Sequence, residues 1–489
     1  MKAKITIDRN SYIDKIDNRI YGSFIEHLGR AVYNGIYEPS HQSSDAMGFR
    51  RDVLKLVSIL NVPIVRYPGG NFVSGYNWED GIGDKSLRPQ KLDLAWLSVE
   101  TNQVGIDEFQ EWAKRAHTDI MMAVNLGTRG PDEARSLIEY CNSTTDTYYA
   151  NLRRKNGFYE PFNIKLWCLG NEMDGDWQIC HKTAQEYGRI ATETAKVLKW
   201  VDPSIELVAC GSSDPHMPTY GEWERTVLDH TYDYVDYLSL HCYYGNKDNN
   251  TPNFLARCED MDRFIKNTAK ICDEIKAKKN SDKTINLSFD EWNVWYRTKD
   301  EEKDMERWQI APHLLEEKYN FEDALLVGCM LMCLQNNCDR VKIACLAQLV
   351  NVIAPIMTEN NGKAWRQTIF YPYMYGSVLG RGSALNNKVE CSSYKSSEGW
   401  DIPYLYTSVI DNKDRGEIVL FCVNRSLDDS IDLDLEGFDG LTPVEHVELY
   451  DDDLSTVNDK HNERISPRNR DIGDKITLKK HSWNMIRFK

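Results

Sequence analysis

The chain has 489 residues, of which 41% are hydrophobic and 27% charged, a composition typical of folded globular proteins at a length that exceeds one ordinary domain. Asp and Glu number 75 against 59 Lys and Arg, so the formal net charge is −16. A surface this acidic argues against nucleic acid and anionic membranes, so we expect neither as a partner, while neutral ligands remain open.

The N-terminal stretch and the cysteines predict a cytoplasmic protein. "MKAKITIDRNSYIDK" has no apolar core long enough for a signal peptide. The longest apolar run, "ALLVGCMLMCL", is shorter than the roughly 20 residues with which a helix spans a bilayer. The 13 cysteines are an odd number scattered through apolar segments, which suits reduced thiols better than a disulfide framework.

The first predicted element is a strand at the N-terminus. "KAKITID" alternates apolar and polar residues, as a half-buried strand does, and it precedes the repeating pattern described next. We expect residues 1–14 to join the strands at the C-terminal end of the chain and so to tie the two ends together.

Eight short, nearly continuous apolar runs follow, each separated from the next by a longer segment. Runs of this kind are expected of strands that are covered on both faces. Segments such as "IDEFQEWAKRA" and "TAQEYGRIATETAKVLKW" are amphipathic at helical spacing. Strands alternating with helices predict an α/β fold, a (β/α)8 TIM barrel over residues 15–378. The runs begin at Ile20, Val62, Asp119, Ile164, Ile205, Tyr234, Ile285 and Val341.

The sequence pattern changes after "YGSVLGRGSALNNKVE", where strand-like runs are no longer separated by helical segments. "YLYTSVIDN", "GEIVLFCVNRS", "SIDLDLEGF", "VEHVELYDD" and "KITLKKHSWNMIRFK" are short strand-like runs separated by turn residues. We therefore predict a C-terminal antiparallel β-sandwich, jelly-roll-like, over residues 379–489.

Polar side chains stand at the ends of several predicted barrel strands, and in a TIM barrel the active site lies at the carboxyl ends of the strands. A single polar residue there is usually a cap or a turn. A carboxylate at the ends of both the fourth and the seventh strands, Glu172 and Glu291, is harder to explain in that way. The other residues at these ends are Glu26, Arg66, Asn71, Asn171, His241, Tyr243 and Gln348.

Glu172 and Glu291 can face each other across the mouth of the barrel. A facing carboxyl pair is what cleavage of a glycosidic bond requires, because one group protonates the leaving oxygen and the other attacks or stabilises the anomeric carbon. Direct attack needs carboxyl groups about 5–5.5 Å apart, whereas a water between them needs about 6.5–9.5 Å. The alternative for both residues is a structural cap or ion pair.

Longer motifs resemble one enzyme family. "GNEMDG" after the fourth strand and "DEWN" after the seventh resemble the clan A glycoside hydrolases. "YGSFIEHLGRAVYNGIYEPS", "VRYPGGNFVSGYNWEDGIG", "RPQKLDLAWLSVETNQVGIDEF", "AVNLGTRG" and "LHCYYGN" are similar, in this order, to glycoside hydrolase family 51, the α-L-arabinofuranosidases. The resemblance covers the barrel nearly end to end, and the family has the same layout of barrel and sandwich.

The resemblance implies a retaining, exo-acting α-L-arabinofuranosidase that removes terminal non-reducing units from arabino-oligosaccharides. Glu172 matches the general acid/base of the family and Glu291 its nucleophile. Asn171 is expected to bond the 2-hydroxyl of the sugar, a contact that strengthens in the transition state. The positions that match the pocket for the terminal arabinofuranose are Glu26, Asn71, Asn171, Tyr243 and Gln348.

Neighbouring residues are expected to support this site. Tyr243 can orient the nucleophile, and Arg66 can keep a nearby carboxylate ionised. His241 is either a substrate contact or a structural histidine. Glu26 has an alternative role in a salt bridge to Arg66 or Arg30. Three tryptophans can wall the pocket with their apolar faces, although each could instead belong to the core; they are Trp96, Trp177 and Trp295.

Two rival functions remain open at this point. Another clan A glycosidase, such as a β-xylosidase or an endo-glucanase, would share both glutamates and differ in the shape of its pocket. A non-catalytic carbohydrate-binding barrel would have no need to keep both glutamates.

No cofactor and no metal are expected. The cysteines of "GCMLMCLQNNC" lack paired metal-ligand spacing and suit a buried helix, and "YPGGN" lacks the ending of a phosphate-binding loop. Cys180 stands where the family pattern leads us to expect glycine, which puts the preference for the leaving group in doubt. The resemblance also implies a homo-oligomer, in related proteins commonly a hexamer.

Overall fold

A computed structural model describes residues 1–299, 305–473 and 475–489. Eight parallel strands form a closed barrel, in which hydrogen bonding runs β2-β3-β6-β7-β8-β9-β10-β11 and returns from β11 to β2. The predicted (β/α)8 barrel is confirmed. Its strands are β2 (Gly22–Phe24), β3 (Ile64–Tyr67), β6 (Asp119–Val124), β7 (Leu166–Leu169), β8 (Glu206–Ala209), β9 (Tyr237–Tyr244), β10 (Asn286–Val294) and β11 (Val341–Leu346).

Helices cover the outside of the barrel and start at recognisable caps. Thr183 and Glu186 form a reciprocal capping box before α5, and Asn320 and Asp323 form another before α9. Across the described residues, none of the helices has both the length and the apolar character to cross a membrane. The helices are α1 (Arg51–Leu60), α2 (Ile106–Ala116), α3 (Pro131–Asn142), α4 (Tyr148–Lys155), α5 (Ala184–Val201), α6 (Glu222–Thr231), α7 (Thr251–Leu255), α8 (Arg257–Lys278), α9 (Phe321–Asn336) and α10 (Phe370–Leu379).

The C-terminal part of the chain forms a nine-stranded sheet in the order β21-β20-β23-β18-β17-β14-β1-β19-β22. Strand β1, from the other end of the chain, lies between β14 and β19. The pairing of β1 with β19 is parallel, which departs from the predicted antiparallel arrangement, because β1 arrives from outside the series of hairpins. The strands are β1 (Lys2–Lys15), β14 (Ser383–Glu390), β17 (Leu405–Asn412), β18 (Glu417–Asn424), β19 (Ile431–Glu436), β20 (Pro443–Leu449), β21 (Arg468–Asn469), β22 (Thr477–Leu478) and β23 (Ser482–Phe488).

Three two-stranded sheets complete the described strands, and the first of them holds Trp96 at its tip. In this hairpin the carboxylate of Asp93 accepts bonds from the backbone N–H groups of Ala95 and Trp96, which shapes the turn. The pairs are β4 (Lys91–Asp93) with β5 (Ser98–Glu100), β12 (Ile356–Thr358) with β13 (Ala364–Arg366), and β15 (Ser393–Lys395) with β16 (Asp401–Pro403).

The barrel and one face of the C-terminal sheet share a continuous apolar core. Phe421 and Trp483 of the sheet belong to the same buried cluster as Leu326 and Leu334 of α9. A second buried cluster, which includes Ile5 of β1, fills the interior of the C-terminal domain. All 13 cysteines lie in the described part of the chain and are free thiols. The sheet domain is therefore packed against the side of the barrel rather than tethered to it.

Candidate active site

A cavity of about 430 Å³ opens at the carboxyl end of the barrel. Its walls come from seven of the eight barrel strands or from the loops that follow them. Nine of the residues singled out in the sequence line it: Glu26, Asn71, Trp96, Glu172, Trp177, Tyr243, Glu291, Trp295 and Gln348. A ligand inside this cavity would be surrounded laterally by the strand ends and their loops.

Glu291 lies within β10 and is held by two donors. Arg66 Nη1 donates to Oε1 at 2.7 Å, and the hydroxyl of Tyr243 donates to Oε2 at 2.7 Å. Gly70 makes this approach possible, since a Cβ atom there would lie only 3.0 Å from Oε1 of Glu291. Both oxygens of the carboxylate are thus fixed in position, and Tyr243 and Arg66 have the contacts that their predicted supporting roles require.

Electrostatics favour the ionised form of Glu291. Burial by itself would raise the pKa of its carboxyl group, but the charges of His241 and Arg66 and the bonds from Tyr243 and Arg66 hold that pKa below its usual value. The same contacts act in the opposite direction on the histidine: burial would lower the pKa of His241, yet Glu291 and Glu172 raise it. An ionised carboxylate at Glu291 can act as a nucleophile.

Glu172 follows β7, and its carboxyl group is also held at both oxygens. His241 Nδ1 lies 2.9 Å from Oε1, and the indole N–H of Trp177 donates to Oε2 at 2.7 Å. The backbone of Glu172 has a φ of 44°, in the left-handed region that non-glycine residues rarely adopt. Such strain persists where surrounding contacts impose it, as they do at many functional sites.

The two carboxyl groups face each other closely. One oxygen of Glu172 and one of Glu291 lie within 4.8 Å of each other, and His241 Nδ1 lies 2.9 Å from Oε1 of Glu172 and 3.7 Å from Oε2 of Glu291. His241 is 2% exposed and contacts both carboxylates. A direct contact between His241 and substrate stays a prediction.

Glu26 is the third carboxyl group of the cavity. Its Oε1 accepts bonds from the backbone N–H of Phe72 at 2.8 Å and from the indole of Trp96 at 3.0 Å. Gln348 lies beside it, with Oε1 accepting from the Glu26 backbone N–H at 3.0 Å. Burial raises the pKa of Glu26 to about 8, so this residue is largely protonated at neutral pH and can donate as well as accept.

The salt bridge considered for Glu26 is not favoured by the positions of the two arginines. Arg30 pairs with Glu316 at 2.6 Å, and Arg66 pairs with Glu291. Both guanidinium groups are therefore engaged with other carboxylates, which leaves Glu26 free to face the cavity.

Asn171 and Asn71 form an amide pair next to the carboxylates. Arg66 Nη2 donates to Oδ1 of Asn171 at 2.6 Å, and Asn171 Nδ2 approaches Oδ1 of Asn71 at 3.4 Å. The first contact fixes the amide of Asn171, so its nitrogen points toward Asn71, which lines the cavity. An amide nitrogen there is suited to donate to a sugar hydroxyl.

The three tryptophans occupy different parts of the cavity wall. Trp295 packs edge-on against Tyr243, with ring centroids 5.3 Å apart, and Trp96 bonds Glu26. Trp177 is 49% exposed and stands at the rim. Two of these indoles thus hold carboxyl groups through their N–H groups, in addition to offering apolar faces.

Three polar residues on the cavity wall were not predicted from the sequence: Ser213, Asp214 and Lys299. Lys299 stands over the ring of Trp295, with Nζ 4.5 Å from the ring centroid. The backbone N–H of Ser213 donates to Oδ2 of Asp174 at 3.0 Å. All three lie in loops after the apolar runs, where nothing in the local sequence distinguishes a wall residue from a solvent-exposed one.

Glu172, His241 and Glu291 also form a group of potential metal ligands, since their donor atoms lie within 4.8 Å of one another. The two carboxylates, however, already accept bonds from Trp177, Tyr243 and Arg66. A guanidinium in contact with Glu291 also opposes a second cation there. The donor set fits carboxylate chemistry better than metal binding.

Cys180 lies in the loop that carries Trp177, at a position where glycine was expected. Its φ is 57°, and its side chain is exposed. The backbone there is left-handed, which explains why glycine suits the position and why a larger residue is strained.

A parallel barrel with facing carboxyl groups at the ends of its fourth and seventh strands defines a glycoside hydrolase of the (β/α)8 class. Comparison with known protein families narrows this class. The model of the alpha-L-arabinofuranosidase 1 domain matches residues 56–263, and that of the alpha-L-arabinofuranosidase C-terminal domain matches residues 290–482. The chain belongs to glycoside hydrolase family 51, the α-L-arabinofuranosidases, and the predicted enzyme class is confirmed.

Individual relatives cover the whole chain. An "Intracellular exo-alpha-(1->5)-L-arabinofuranosidase 1" from Bacillus subtilis (strain 168) is 55% identical over 495 residues, which is 100% of this chain and 99% of the relative. An "Exo-alpha-(1->6)-L-arabinofuranosidase" from Bifidobacterium longum is 44% identical over 512 residues, with 100% and 97% covered. The solved structure of a family 51 alpha-L-arabinofuranosidase from Bifidobacterium longum has a TM-score of 0.95 at 42% identity, with 100% and 99% covered.

Proposed function

We propose that this enzyme is a retaining, exo-acting α-L-arabinofuranosidase in which Glu172 is the general acid/base and Glu291 the nucleophile. The observation that carries the proposal is the approach of the two carboxyl groups, whose nearest oxygens are within 4.8 Å. An oxygen pair within this limit is in keeping with the separation of roughly 5–5.5 Å between carboxyl groups that direct attack needs, rather than with the separation of about 6.5–9.5 Å that accommodates a water.

In the first step, ionised Glu291 attacks the anomeric carbon while Glu172 gives its proton to the glycosidic oxygen. The carbon–oxygen bond to the leaving group breaks, and an ester bond between Glu291 and the sugar forms. In the second step Glu172, now a carboxylate, removes a proton from water, and the water oxygen attacks the anomeric carbon and displaces Glu291. Two inversions restore the original configuration.

Residues around Glu172 and Glu291 orient the nucleophile and offer hydrogen bonds to the sugar. Arg66 and Tyr243 hold Glu291 ionised and oriented for attack. As the ester bond to the anomeric carbon forms, the carboxylate loses its negative charge, and the electron pair of the broken bond goes to the leaving oxygen that Glu172 protonates. Protonated Glu26 and the amide of Gln348 offer both donors and acceptors for hydroxyl groups of a terminal arabinofuranose.

The shape of the site supports exo action. The wall around the cavity is built from most of the barrel strands, and Trp96 and Trp295 stand among its lining residues. An enclosed cavity admits the end of a chain more readily than its middle. We therefore propose that the terminal non-reducing α-L-arabinofuranosyl unit enters it.

The proposed substrates are arabino-oligosaccharides with α-(1→5) linkages, because the relative at 55% identity is named for that linkage. The relative at 44% identity is named for an α-(1→6) linkage, so both kinds of disaccharide belong in the assay. Preference for (1→6) over (1→5) would contradict the proposed linkage and leave the enzyme class unchanged.

We also propose that the protein acts in the cytoplasm as a homo-oligomer, with a hexamer as the expected size. The word "intracellular" in the name of the Bacillus relative supports the location, and the family resemblance supports the assembly. The proposed partners are neutral oligosaccharides, without nucleic acid or membrane, in line with the net charge of −16. Light scattering after size-exclusion chromatography would test the assembly against the chain mass of 56.6 kDa.

The decisive test of mechanism uses 4-nitrophenyl α-L-arabinofuranoside, Glu172→Ala, Glu291→Ala and azide. If Glu172 is the acid/base, azide should attack the covalent intermediate of Glu172→Ala and give the α-azide after two inversions. If Glu291 is the nucleophile, azide should replace it in Glu291→Ala and give the β-azide after one inversion. The opposite pair of anomers would exchange the two roles, and inverted product from the wild type would overturn the retaining mechanism.

A further inference from the structure

Trp177 stands in an unusual position for a half-exposed tryptophan. Its side chain folds back over the turn that follows β7, and its indole N–H donates to Oε2 of Glu172 at 2.7 Å. The residue is 49% exposed and lines the cavity. The residue therefore combines a surface that a leaving group can touch with a bond to the carboxyl group opposite Glu291.

The turn between Glu172 and Trp177 is built to allow this bond. The N–H of Gly175 donates to the backbone carbonyl of Glu172 at 2.9 Å. A Cβ atom on Gly175 would collide with ring carbons of Trp177, so only glycine leaves room for the indole at this place.

The turn is also anchored on both sides. Asp174 accepts from the backbone N–H of Ser213 at 3.0 Å, and the buried amide of Gln178 donates to the hydroxyl of Ser74. These anchors fix the backbone that carries Trp177, so the indole is held in place even though half of its surface faces solvent.

The bond to the indole complements the one made by His241. His241 Nδ1 lies 2.9 Å from Oε1 of Glu172, and Trp177 holds Oε2, so the plane of the carboxyl group is defined at two points. An indole N–H can only donate, and it therefore never takes up the proton that an acid has to deliver. Such a contact sets direction without competing for the proton.

We propose that Trp177 is a positioning residue for acid catalysis: its N–H group aims the carboxyl group of Glu172 at the leaving oxygen, and Gly175 provides the space for it. The inference rests on the proposed role of Glu172 as general acid. Loss of the bond between Trp177 and Glu172 should slow cleavage more, the more strongly the leaving group depends on receiving a proton.

Substrates whose leaving groups differ in basicity distinguish a role of Trp177 in proton donation from a role in substrate binding. 4-Nitrophenolate departs with little proton donation, whereas methoxide needs a full proton transfer, and a methyl group has no ring that could stack on Trp177. General acid catalysis contributes about 10²–10⁴-fold in rate, so the loss of one of two points of attachment should remove about tenfold of it.

The experiment compares kcat/KM for 4-nitrophenyl and methyl α-L-arabinofuranoside in the wild type and in Trp177→Phe, which keeps a ring and removes the N–H group. Gly175→Ala keeps the N–H group and displaces the ring. Trp96→Phe is the matched control, since it removes an indole bond to Glu26 in the same cavity. Glu172→Ala gives the upper limit of the effect.

We expect Trp177→Phe and Gly175→Ala each to lower the ratio of methyl to 4-nitrophenyl activity by about tenfold, and Trp96→Phe to leave that ratio unchanged. Equal losses on both substrates in Trp177→Phe would overturn the proposal, because they would indicate binding or structure. If Gly175→Ala does not fold, Trp177→Phe alone decides. Should Glu172→Ala itself keep the wild-type ratio, the assignment of the acid fails and this inference with it.

Discussion

Arg66 and Glu291 are 225 residues apart in the sequence and form a buried ion pair of 2.7 Å. The second terminal nitrogen of the same guanidinium donates to Asn171 at 2.6 Å. One side chain at the end of β3 therefore connects the end of β7 with β10. The two motifs that carry Glu172 and Glu291 are held in register by a residue that belongs to neither.

Replacement of Arg66 by Met should move the acid limb of the kcat/KM profile to higher pH. Burial would raise the pKa of Glu291, and Arg66 is one of the groups that oppose it, together with His241 and Tyr243. Without the guanidinium, Glu291 takes up its proton at a higher pH and loses nucleophilic power there. We also expect kcat/KM at the optimum to fall about 10²–10³-fold, as for removal of one preorganised donor.

Two variants bracket this prediction. Arg66→Lys keeps a positive charge but cannot reach Glu291 and Asn171 with a planar fork, so its acid limb should move less than that of Arg66→Met. Tyr243→Phe removes one neutral bond to Glu291 and should shift the limb in the same direction by a smaller amount. An acid limb that stays in place in Arg66→Met would show that Glu291 does not control it.

Glu26→Gln should become more stable than the wild type as the pH rises. Burial raises the pKa of Glu26 to about 8 in the folded protein, against 4.5 as its ordinary value. The stability contributed by its bound proton is fully present below pH 4.5 and is lost as the pH rises through 8, while glutamine does not titrate. Between pH 5 and pH 8.5 the difference in free energy of unfolding should change by roughly 2–4 kcal/mol in favour of the variant.

Urea titrations of both proteins at the two pH values measure this difference. Asp132→Asn, in which a side chain that is 92% exposed is changed, serves as the control and should alter stability equally at both pH values. A difference between Glu26→Gln and the wild type that does not depend on pH would refute a protonated Glu26.

Cys180→Gly should stabilise the protein by up to about 1.5 kcal/mol. Release of a left-handed non-glycine residue gains about 1–2 kcal/mol, and the greater freedom of glycine in the unfolded chain costs about 0.5–1 kcal/mol. Cys180→Ala keeps the strain at a φ of 57° and should gain nothing, which makes it the control in thermal unfolding. Equal melting temperatures for the two variants would count against strain at this position.

Ile5→Ala should destabilise the C-terminal domain by about 2–4 kcal/mol, because Ile5 is fully buried on an interior strand of the nine-stranded sheet. Thr6→Ala, on the outward face of the same strand, should change stability by about 0.5 kcal/mol or less. This result would support the division we propose, with residues 1–14 and 379–489 in one domain and 15–378 in the barrel. Urea midpoints that are equal for the two variants would argue against it.

The barrel could be predicted from the sequence because its strands are apolar on both faces. The run from Ile164 ends at Gly170 and an Asn-Glu pair, and the structure places β7 there. Strand β14 (Ser383–Glu390) was missed, since "SALNNKVE" contains two asparagines typical of turns and becomes a strand only by pairing with β1 and β17.

Only part of the active site could be predicted from the sequence. Side chains in "GNEMDG" and "DEWN" could be named, because strand ends in a barrel meet at one mouth. The distances between these side chains could not be predicted from the sequence. The bond between Trp177 and Glu172 could not be predicted either, because it depends on the path of a turn. Lys299 reaches the cavity because Trp295 supports it, a contact that no spacing in the sequence encodes.

The position of β1 between β14 and β19 has a consequence for biosynthesis. Lys2 leaves the ribosome more than four hundred residues before its partner Asp432. At about 5–20 residues per second, the leading segment waits roughly 20 to 90 s before its parallel neighbour exists. During that interval one edge of β1 lacks its partner and its backbone N–H and C=O groups on that side stay unpaired, so this edge of the C-terminal sheet can be completed only late in synthesis.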